Sequence, residues 1–349
     1  MVPSVPRSRR SVNRVIASAV CFGMALVTAP ARAETPLGYL RGSGAMAHAI
    51  TPLTWGLLII SLVVCVIVMA LVLGGILVKR AAGHVTAGVP LMRGGGGTGW
   101  VGLGVGISSV VLLGSLVWTV VVLAAINEPP SKPGLTIEVT GQQWWWKVRY
   151  LSDDPSRILT TANEIHIPTG EPVRVELIGA DVIHSFWVPL LSGKTDAIPG
   201  QTNVTWLEAD RPGRYRGLCS EYCGVQHAQM GFYVVAQSPD EFDAWWDAQL
   251  KPAATAGSPA SERGAMLFTY RCGACHTVRG TEAGGAVAPD LTHLMSRATI
   301  AAGTLPNNVG SLSGWIANPQ AIKPGTLMPI VPLSGPELND IGFFLLTLK

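Results

Sequence analysis

Cys219-Ser220-Glu221-Tyr222-Cys223-Gly224-Val225-Gln226-His227-Ala228-Gln229-Met230 is the stretch on which the reading of this chain turns. Its spacing is C-x3-C-x3-H-x2-M, and His184 lies upstream in Asp181-Val182-Ile183-His184-Ser185-Phe186-Trp187. Two thiols, two imidazoles and a thioether are soft-to-borderline ligands suited to copper, and thiolates spaced on a tight loop can bridge two ions. Bridging lets one electron be shared over both metals, so bond lengths change little on reduction. From the residues alone three other readings stay open: a Cys219–Cys223 disulfide in an oxidising compartment, a Cys2His2 zinc site that leaves Met230 without a role, and a plain core histidine at His184.

Around this stretch the pattern is of short alternating segments. Thr136–Thr140, Trp144–Tyr150, Glu164–Ile167, Val173–Ile178, Asn203–Ala209 and Phe232–Ala236 read as strands bounded by Pro, Gly and Asp clusters, which predicts a small all-β sandwich or barrel. Pro239–Leu250 reads as a short helix capped by Ser238 or Asp240, and Lys251–Pro259 as an Ala/Pro/Ser/Gly linker. Behind it, helices Ser261–Tyr270 and Pro336–Leu348 enclose a separate domain with Cys272-Gly273-Ala274-Cys275-His276 near its start. C-x-x-C-H is the attachment signature of a c-type haem, the thiols forming thioethers and the histidine binding iron. A reducible disulfide or a zinc knuckle is the competing reading. His293 is expected to be polar surface.

Towards the N-terminus the chain turns apolar. Nearly half of its 349 residues are hydrophobic and only 13% are charged, against about 25% charged in an average soluble domain. Leu53–Val78 and Trp100–Ile126 carry no charge and exceed the roughly 20 residues a transmembrane helix needs. Lys79, Arg80 and Arg93 between them put the connecting loop in the cytoplasm by the positive-inside rule, so everything after Ile126 is exported. Cys65, within the first span, is read as a packing residue. Arg7, Arg9, Arg10 and Arg14, the apolar run Val15–Val27 and Ala31-Arg32-Ala33 read as a secretory signal cleaved before Glu34. A lipoprotein signal at Cys21 is the rival, with Val20 where a small residue belongs. Losing the five basic residues of that segment takes the formal charge from +3 to −2, which leaves no basic field for nucleic acid.

Gly141-Gln142-Gln143-Trp144-Trp145-Trp146, Asp181–Ser185, Lys194-Thr195-Asp196-Ala197-Ile198-Pro199-Gly200 and Arg211 through Met230 resemble, in order, the segments of subunit II of cytochrome c oxidases. The last ninety or so residues are similar to class I cytochromes c, with Pro324-Gly325-Thr326-Leu327-Met328-Pro329 as the methionine loop. The resemblance implies a multidomain membrane protein: a two-helix transmembrane hairpin, an all-β cupredoxin barrel and an all-α class I cytochrome c domain, as in caa-type oxidases. It implies that Cys219 and Cys223 bridge the two coppers of a CuA centre, one copper taking His184 and Met230, the other His227 and the Glu221 carbonyl. In the family the Glu221 side chain reaches a Mg²⁺ shared with subunit I, and Trp144 is the exposed indole through which electrons enter. Trp145 or Trp146 is expected to pack at the membrane surface. Cys272, Cys275, His276 and Met328 are expected to hold haem c. Proline restricts the residue before it to extended conformations, so Pro329 helps to keep Met328 out of a helix. One departure is that Gly94–Gly99 stands where many relatives carry an acidic residue that admits protons to subunit I.

The expected organisation is a signal peptide at 1–33, a hairpin at 34–130 (helices about 53–78 and 100–126), a periplasmic CuA domain at 131–238, a helix and linker at 239–260 and a cytochrome c at 261–349. The expected partners are the bacterial inner membrane, subunits I and III and a soluble or membrane cytochrome c donor. The function expected is electron relay from haem c through CuA to the oxygen-reducing centre of subunit I. Three alternatives compete with it. A quinol oxidase subunit needs neither metal set; a nitrous oxide reductase needs a further domain; a metal-delivery or other CuA-type scaffold would keep the barrel and the two cysteines.

Overall fold

In the computed structural model, residues 37–77, 97–254 and 256–349 are described, and from Tyr39 onward they form one compact unit. The signal segment, Cys21, Lys79, Arg80, Arg93 and Gly94–Gly96 lie outside the described residues.

Two apolar helices, α1 (Ala45–Leu77) and α2 (Gly97–Ile126), form the hairpin. At 1.5 Å per residue the 33 residues of α1 run about 50 Å, well beyond the ~30 Å hydrocarbon core. Their Leu, Ile and Val side chains point outward, as lipid-facing residues must: Leu62 and Ile76 are more than half exposed. Hydroxyls inside the spans return to the helix, Ser115 Oγ donating to Val111 O and Thr119 Oγ to Ser115 O. The first helix starts eight residues earlier than the apolar run suggests, through Pro52. Its first turn is not lipid-facing. Met46 and Ala47 are buried, and Gly44 sits so close to the Glu208 carbonyl that a Cβ would stand 1.9 Å from the oxygen. At the other end Trp206 Nε1 donates to the Ile126 carbonyl at 3.0 Å, capping α2 with a side chain of the β domain.

That domain is a sandwich of two five-stranded sheets. One sheet holds β1 (Leu135–Gln142), β2 (Trp145–Leu151), β3 (Leu159–Ala162), β5 (Val173–Gly179) and β8 (Thr202–Leu207); the other holds β4 (Glu164–Pro168), β6 (His184–Trp187), β7 (Thr195–Ala197), β9 (Gly213–Cys219) and β10 (Gly231–Gln237). Their orders are β3-β2-β1-β5-β8 and β4-β10-β9-β6-β7, with β1 parallel to β5 and β10 parallel to β4. The strict alternation of burial along β1 and β2 follows from the two-residue period of a strand. It puts Ile137, Val139, Trp146, Val148 and Tyr150 inside against Phe186 and Phe232 of the facing sheet. Four strands went unread in the sequence: β3, β6, β7 and β9. β3 and β7 are only three or four residues long, and β9 alternates glycine and arginine with its few apolar residues. Trp144, expected to open a strand, lies in the turn between β1 and β2. Helix α3 (Pro239–Gln249) starts at Ser238, whose N–H and Oγ both donate to the Glu241 carboxylate, and it adds Phe242 and Trp246 to the same core.

The last part is helical. α4 (Pro259–Arg271) and α7 (Gly335–Leu345) cross at Gly264, and α5 (Val309–Ala317) and the short α6 (Pro319–Ile322) close the domain. Between α4 and α5 the two-residue strands β11 (Thr299–Ile300) and β12 (Leu305–Pro306) pair. Phe268, Leu294, Ile316, Ile341 and Phe344 make its core. His293 is buried, not surface as expected: its ring nitrogens face the Lys349 carbonyl at 2.7 Å and the Lys251 carbonyl at 3.0 Å, so it ties the C-terminus to the linker. The linker itself is held, Ala253 N–H donating to Arg279 O and the Arg279 guanidinium to the Leu250 carbonyl.

Candidate metal and haem centres

Two tight loops bring the first constellation together. β6 starts at His184, whose ring is fully buried, and β9 ends at Cys219, one strand away in the same sheet. The chain then turns through Cys223, and the 3-10 turn His227–Gln229 returns it to Met230 at the start of β10. The result is a ring of donors. Cys219 Sγ lies 3.8 Å from Cys223 Sγ, 3.2 Å from the Glu221 carbonyl oxygen and 4.0 Å from His184 Nδ1. Cys223 Sγ lies 3.6 Å from His227 Nδ1 and 3.8 Å from Met230 Sδ. Both thiols are free, so the disulfide reading does not describe this loop. Six donors stand where a tetrahedral zinc site would use four. Three of them are sulfur, which fits a pair of copper ions.

Asp181 sets the ring. Its carboxylate accepts from His184 Nε2 at 2.7 Å and from the backbone N–H groups of Gln143 and Val182, each at 2.7 Å. With Nε2 turned to Asp181, His184 Nδ1 faces Cys219 at 4.0 Å, the outer-shell arrangement that orients metal-binding histidines. Burial alone would raise the Asp181 carboxyl, but those three donors outweigh it and hold it below the usual carboxylate range. Within the cysteine pair the contact between the two sulfurs drives them apart in acidity: Cys219 is held far below the usual thiol range, while the same contact and burial push Cys223 well above it. Glu221 is half exposed and its carboxylate pairs with Lys194 Nζ at 3.3 Å.

Trp144 is not exposed. Only 8% of it is accessible; its Nε1 donates to the Cys223 carbonyl at 3.0 Å, and its own carbonyl accepts from Lys323 of the helical domain. The expectation of an open indole fails because that domain covers it. Trp146 is also not at a membrane surface: it is fully buried in the β core, edge-on to His184, Phe186 and Phe232.

The second constellation lines a cavity of about 470 Å³. Cys272, Cys275, His276 and Met328 are on its wall with Phe268, Leu294, Ile316 and Ile341. His276 Nδ1 donates to the Pro289 carbonyl at 2.8 Å, which leaves Nε2 free to bind a metal, and burial depresses its pKa so that the ring stays neutral. Met328 is held out of helix by Gln320, whose Nε2 donates to the carbonyls of Thr326 and Met328. Met295 instead packs into the core, and Met266 is exposed. Gly285 gives the loop its cradle, since a Cβ there would come within 2.4 Å of the Ala274 backbone. Two cysteines, a preoriented histidine and a largely apolar wall fit a covalently attached haem. The opposite wall is made by Gln143, Trp144, Trp145 and Asn163 of the β domain.

Sequence reasoning passed over Asp181 and Lys323. Asp181 was legible in principle, as a carboxylate three residues before a candidate ligand. Lys323 carries no local signal at all.

Fold and sites together define a membrane-anchored redox protein in which a copper-type β domain abuts a c-type cytochrome. The family described as Cytochrome C oxidase subunit II, periplasmic domain, matches residues 149–237, and the Cytochrome c family matches residues 261–349. Cytochrome c oxidase subunit 2 of Alkalihalophilus pseudofirmus is 40% identical over 61% of this chain and 61% of its own length. That of Bacillus sp. (strain PS3) is 32% identical over 65% of this chain and 66% of its own. Among solved structures, the periplasmic domain of subunit II of cytochrome oxidase (CoxB) of Bradyrhizobium japonicum is 34% identical, over 34% of this chain and 95% of that one, with a TM-score of 0.32. The subunit II match thus falls on the β domain and the cytochrome c match on the helical domain behind it, the order of a subunit II with a fused cytochrome c. It spans just under two thirds of the length of the curated relatives it matches. The family implies CuA and the cytochrome domain implies haem c.

Proposed function

We propose that this chain is the electron-transferring subunit II of a haem–copper cytochrome c oxidase, relaying electrons from a cytochrome c donor by way of its own haem and CuA to the oxygen-reducing subunit I. When bound, the haem and the copper pair supply one-electron carriers, and no bond is made or broken in this chain. Its residues bind and orient. Cys219, Cys223, His184, Met230, His227 and the Glu221 carbonyl would hold the copper pair, and the Glu221 carboxylate would be the group offered to a Mg²⁺ shared with subunit I. Cys272 and Cys275 would attach the haem, and His276 and Met328 would be its iron ligands. Trp144 conducts from one site to the other rather than from solvent.

The observation that carries this reading is the shared wall: Trp144 lines the cavity of Cys272, Cys275, His276 and Met328, and donates to the carbonyl of Cys223. Two uncovered helices of membrane-crossing length support anchoring. The reading places the chain in the bacterial inner membrane beside subunits I and III, both redox domains periplasmic, with the divisions 1–33, 34–130, 131–238, 239–260 and 261–349.

The test is metal content and visible spectrum of the purified full chain. Two coppers in a mixed-valence purple form and one covalent haem c are expected; a single copper, a zinc-only protein or a haem that extracts into acidified acetone overturns the reading. In the same preparation Met328→Ala should remove the near-infrared sulfur-to-iron band and Met295→Ala should leave it.

A further inference from the structure

Lys323 is the least expected residue in the molecule. It ends α6, immediately before the loop that carries Met328, and it is only 2% accessible. Its Nζ donates to three backbone carbonyls: Trp144 at 3.1 Å, Gln229 at 2.9 Å and Ala301 at 3.4 Å. The first two belong to the β domain, in the turn before β2 and in the loop that ends at Met230; the third belongs to the helical domain. No carboxylate is among these partners. A buried ammonium without a counter-ion is costly unless its protons are all satisfied, and here three carbonyls satisfy them. Burial brings its pKa down to about 8.

The surroundings are built for this contact. Ala301 and Ala302 have φ of 53° and 57°, and Gly303 follows at 74°. Left-handed backbone costs an alanine roughly 1–2 kcal/mol, and such conformations persist only where the surroundings over-determine them. Here the strained turn directs two successive carbonyls to the domain boundary: Ala301 O to Lys323 within the helical domain, and Ala302 O across to the Gly231 N–H of the β domain at 3.0 Å. Beside it Gln226, in the copper-ligand loop, donates to the Pro324 carbonyl at 2.6 Å.

We infer that Lys323 is a positioning residue, an interdomain clasp that ties the methionine loop of the cytochrome domain to the backbone of the copper-ligand loops and so fixes the haem cavity against Trp144. This rests on the electron-relay reading above. The cytochrome domain is then a fixed cap, not a donor swinging on a tether. An external cytochrome is denied Trp144 and must deliver to the haem.

Lys323→Met keeps the stem and removes the three donors. In the assembled oxidase, loaded with copper and haem, the measurement is flash-initiated electron equilibration between haem c and copper, alongside the spectrum and content of each centre. The expected result is normal spectra and content with equilibration slowed by about 10- to 100-fold, the scale of an ångström-sized misplacement. An unchanged rate overturns the clasp while leaving the relay reading intact, whereas a wild-type chain lacking either spectrum overturns the relay reading itself. Loss of haem or copper in the variant also overturns the clasp, because it assigns Lys323 to one domain's folding. A second measurement needs no variant: a buried clasp is screened little, so the wild-type rate should hold from about 50 mM to about 0.5 M salt. A steep salt dependence indicates a mobile, surface-steered domain and overturns the proposal.

Discussion

Asp181 shows how one side chain tunes a metal centre without touching the metal. It spends its carboxylate on His184 Nε2 and two backbone donors, so the imidazole has one orientation before copper arrives. Removing an outer-shell partner of this kind typically costs 10- to 100-fold in metal affinity. Asp181→Ala should therefore lose copper about 10–100 times more readily to a competing chelator, with the dinuclear spectrum of the remaining loaded protein unchanged. A variant whose copper retention equals wild type removes Asp181 from this role. The same pair of thiols makes copper uptake pH-dependent. Cys223 is held protonated by its hydrogen bond to Cys219 and by burial, and it must lose that proton to bridge, so uptake releases protons and weakens as pH falls.

At the scale of elements, close approach decides which glycines matter. α4 and α7 cross where a Cβ on Gly264 would stand 1.9 Å from the Asp340 carbonyl oxygen, a backbone atom that cannot step aside. The crossing is also held outside by Arg263, whose guanidinium donates to both Asp340 oxygens at 2.8 and 2.9 Å. Gly264→Ala should destabilise the cytochrome domain by about 2–3 kcal/mol, the upper part of the overpacking range, and lower its melting temperature by roughly 10 °C or more. Gly314 in α5 meets nothing within 4 Å. Gly314→Ala should raise the same temperature slightly, since alanine gains roughly 0.5–1 kcal/mol over glycine within a helix. Equal effects of the two substitutions in calorimetry would show that backbone approach is not what holds α4 to α7.

For the whole molecule, Glu164 joins the β domain to the cytochrome domain. It is buried at the start of β4, accepts from the Ala298 N–H of the cytochrome domain at 3.2 Å, and faces His166 and Arg214. Burial alone would raise this carboxyl, but the hydrogen bond from His166 and the charges and donors around it outweigh that, and the net shift is downward from 4.5. A carboxyl whose folded pKa is depressed contributes stability that is complete above its unfolded value and is lost as pH falls through the folded one. The thermal midpoint of the two joined domains should thus be level above about pH 4.5 and fall below it. Glu164→Gln should lower the plateau and flatten this part of the acid decline. A decline of unchanged depth in the variant assigns it to other carboxylates.

What the amino-acid order determined by itself is what is encoded locally. The apolar runs declare two spans because lipid demands about 20 uncharged residues wherever they occur. C-x3-C-x3-H-x2-M and C-x-x-C-H point to metal chemistry because most of their donors lie within one loop, and the family resemblance chooses among the readings they leave open. Six strands were legible from period-two alternation, whereas β3 and β7 are too short and β9 too polar to announce themselves. Tertiary structure alone decided the rest. It started α1 early against the β domain, buried His293 between linker and C-terminus, covered Trp144 and set Lys323 on its carbonyl. Trp144 and Lys323 are 179 residues apart in the chain, and burial and hydrogen bonding across that separation are properties of the packed chain, which no window of sequence contains.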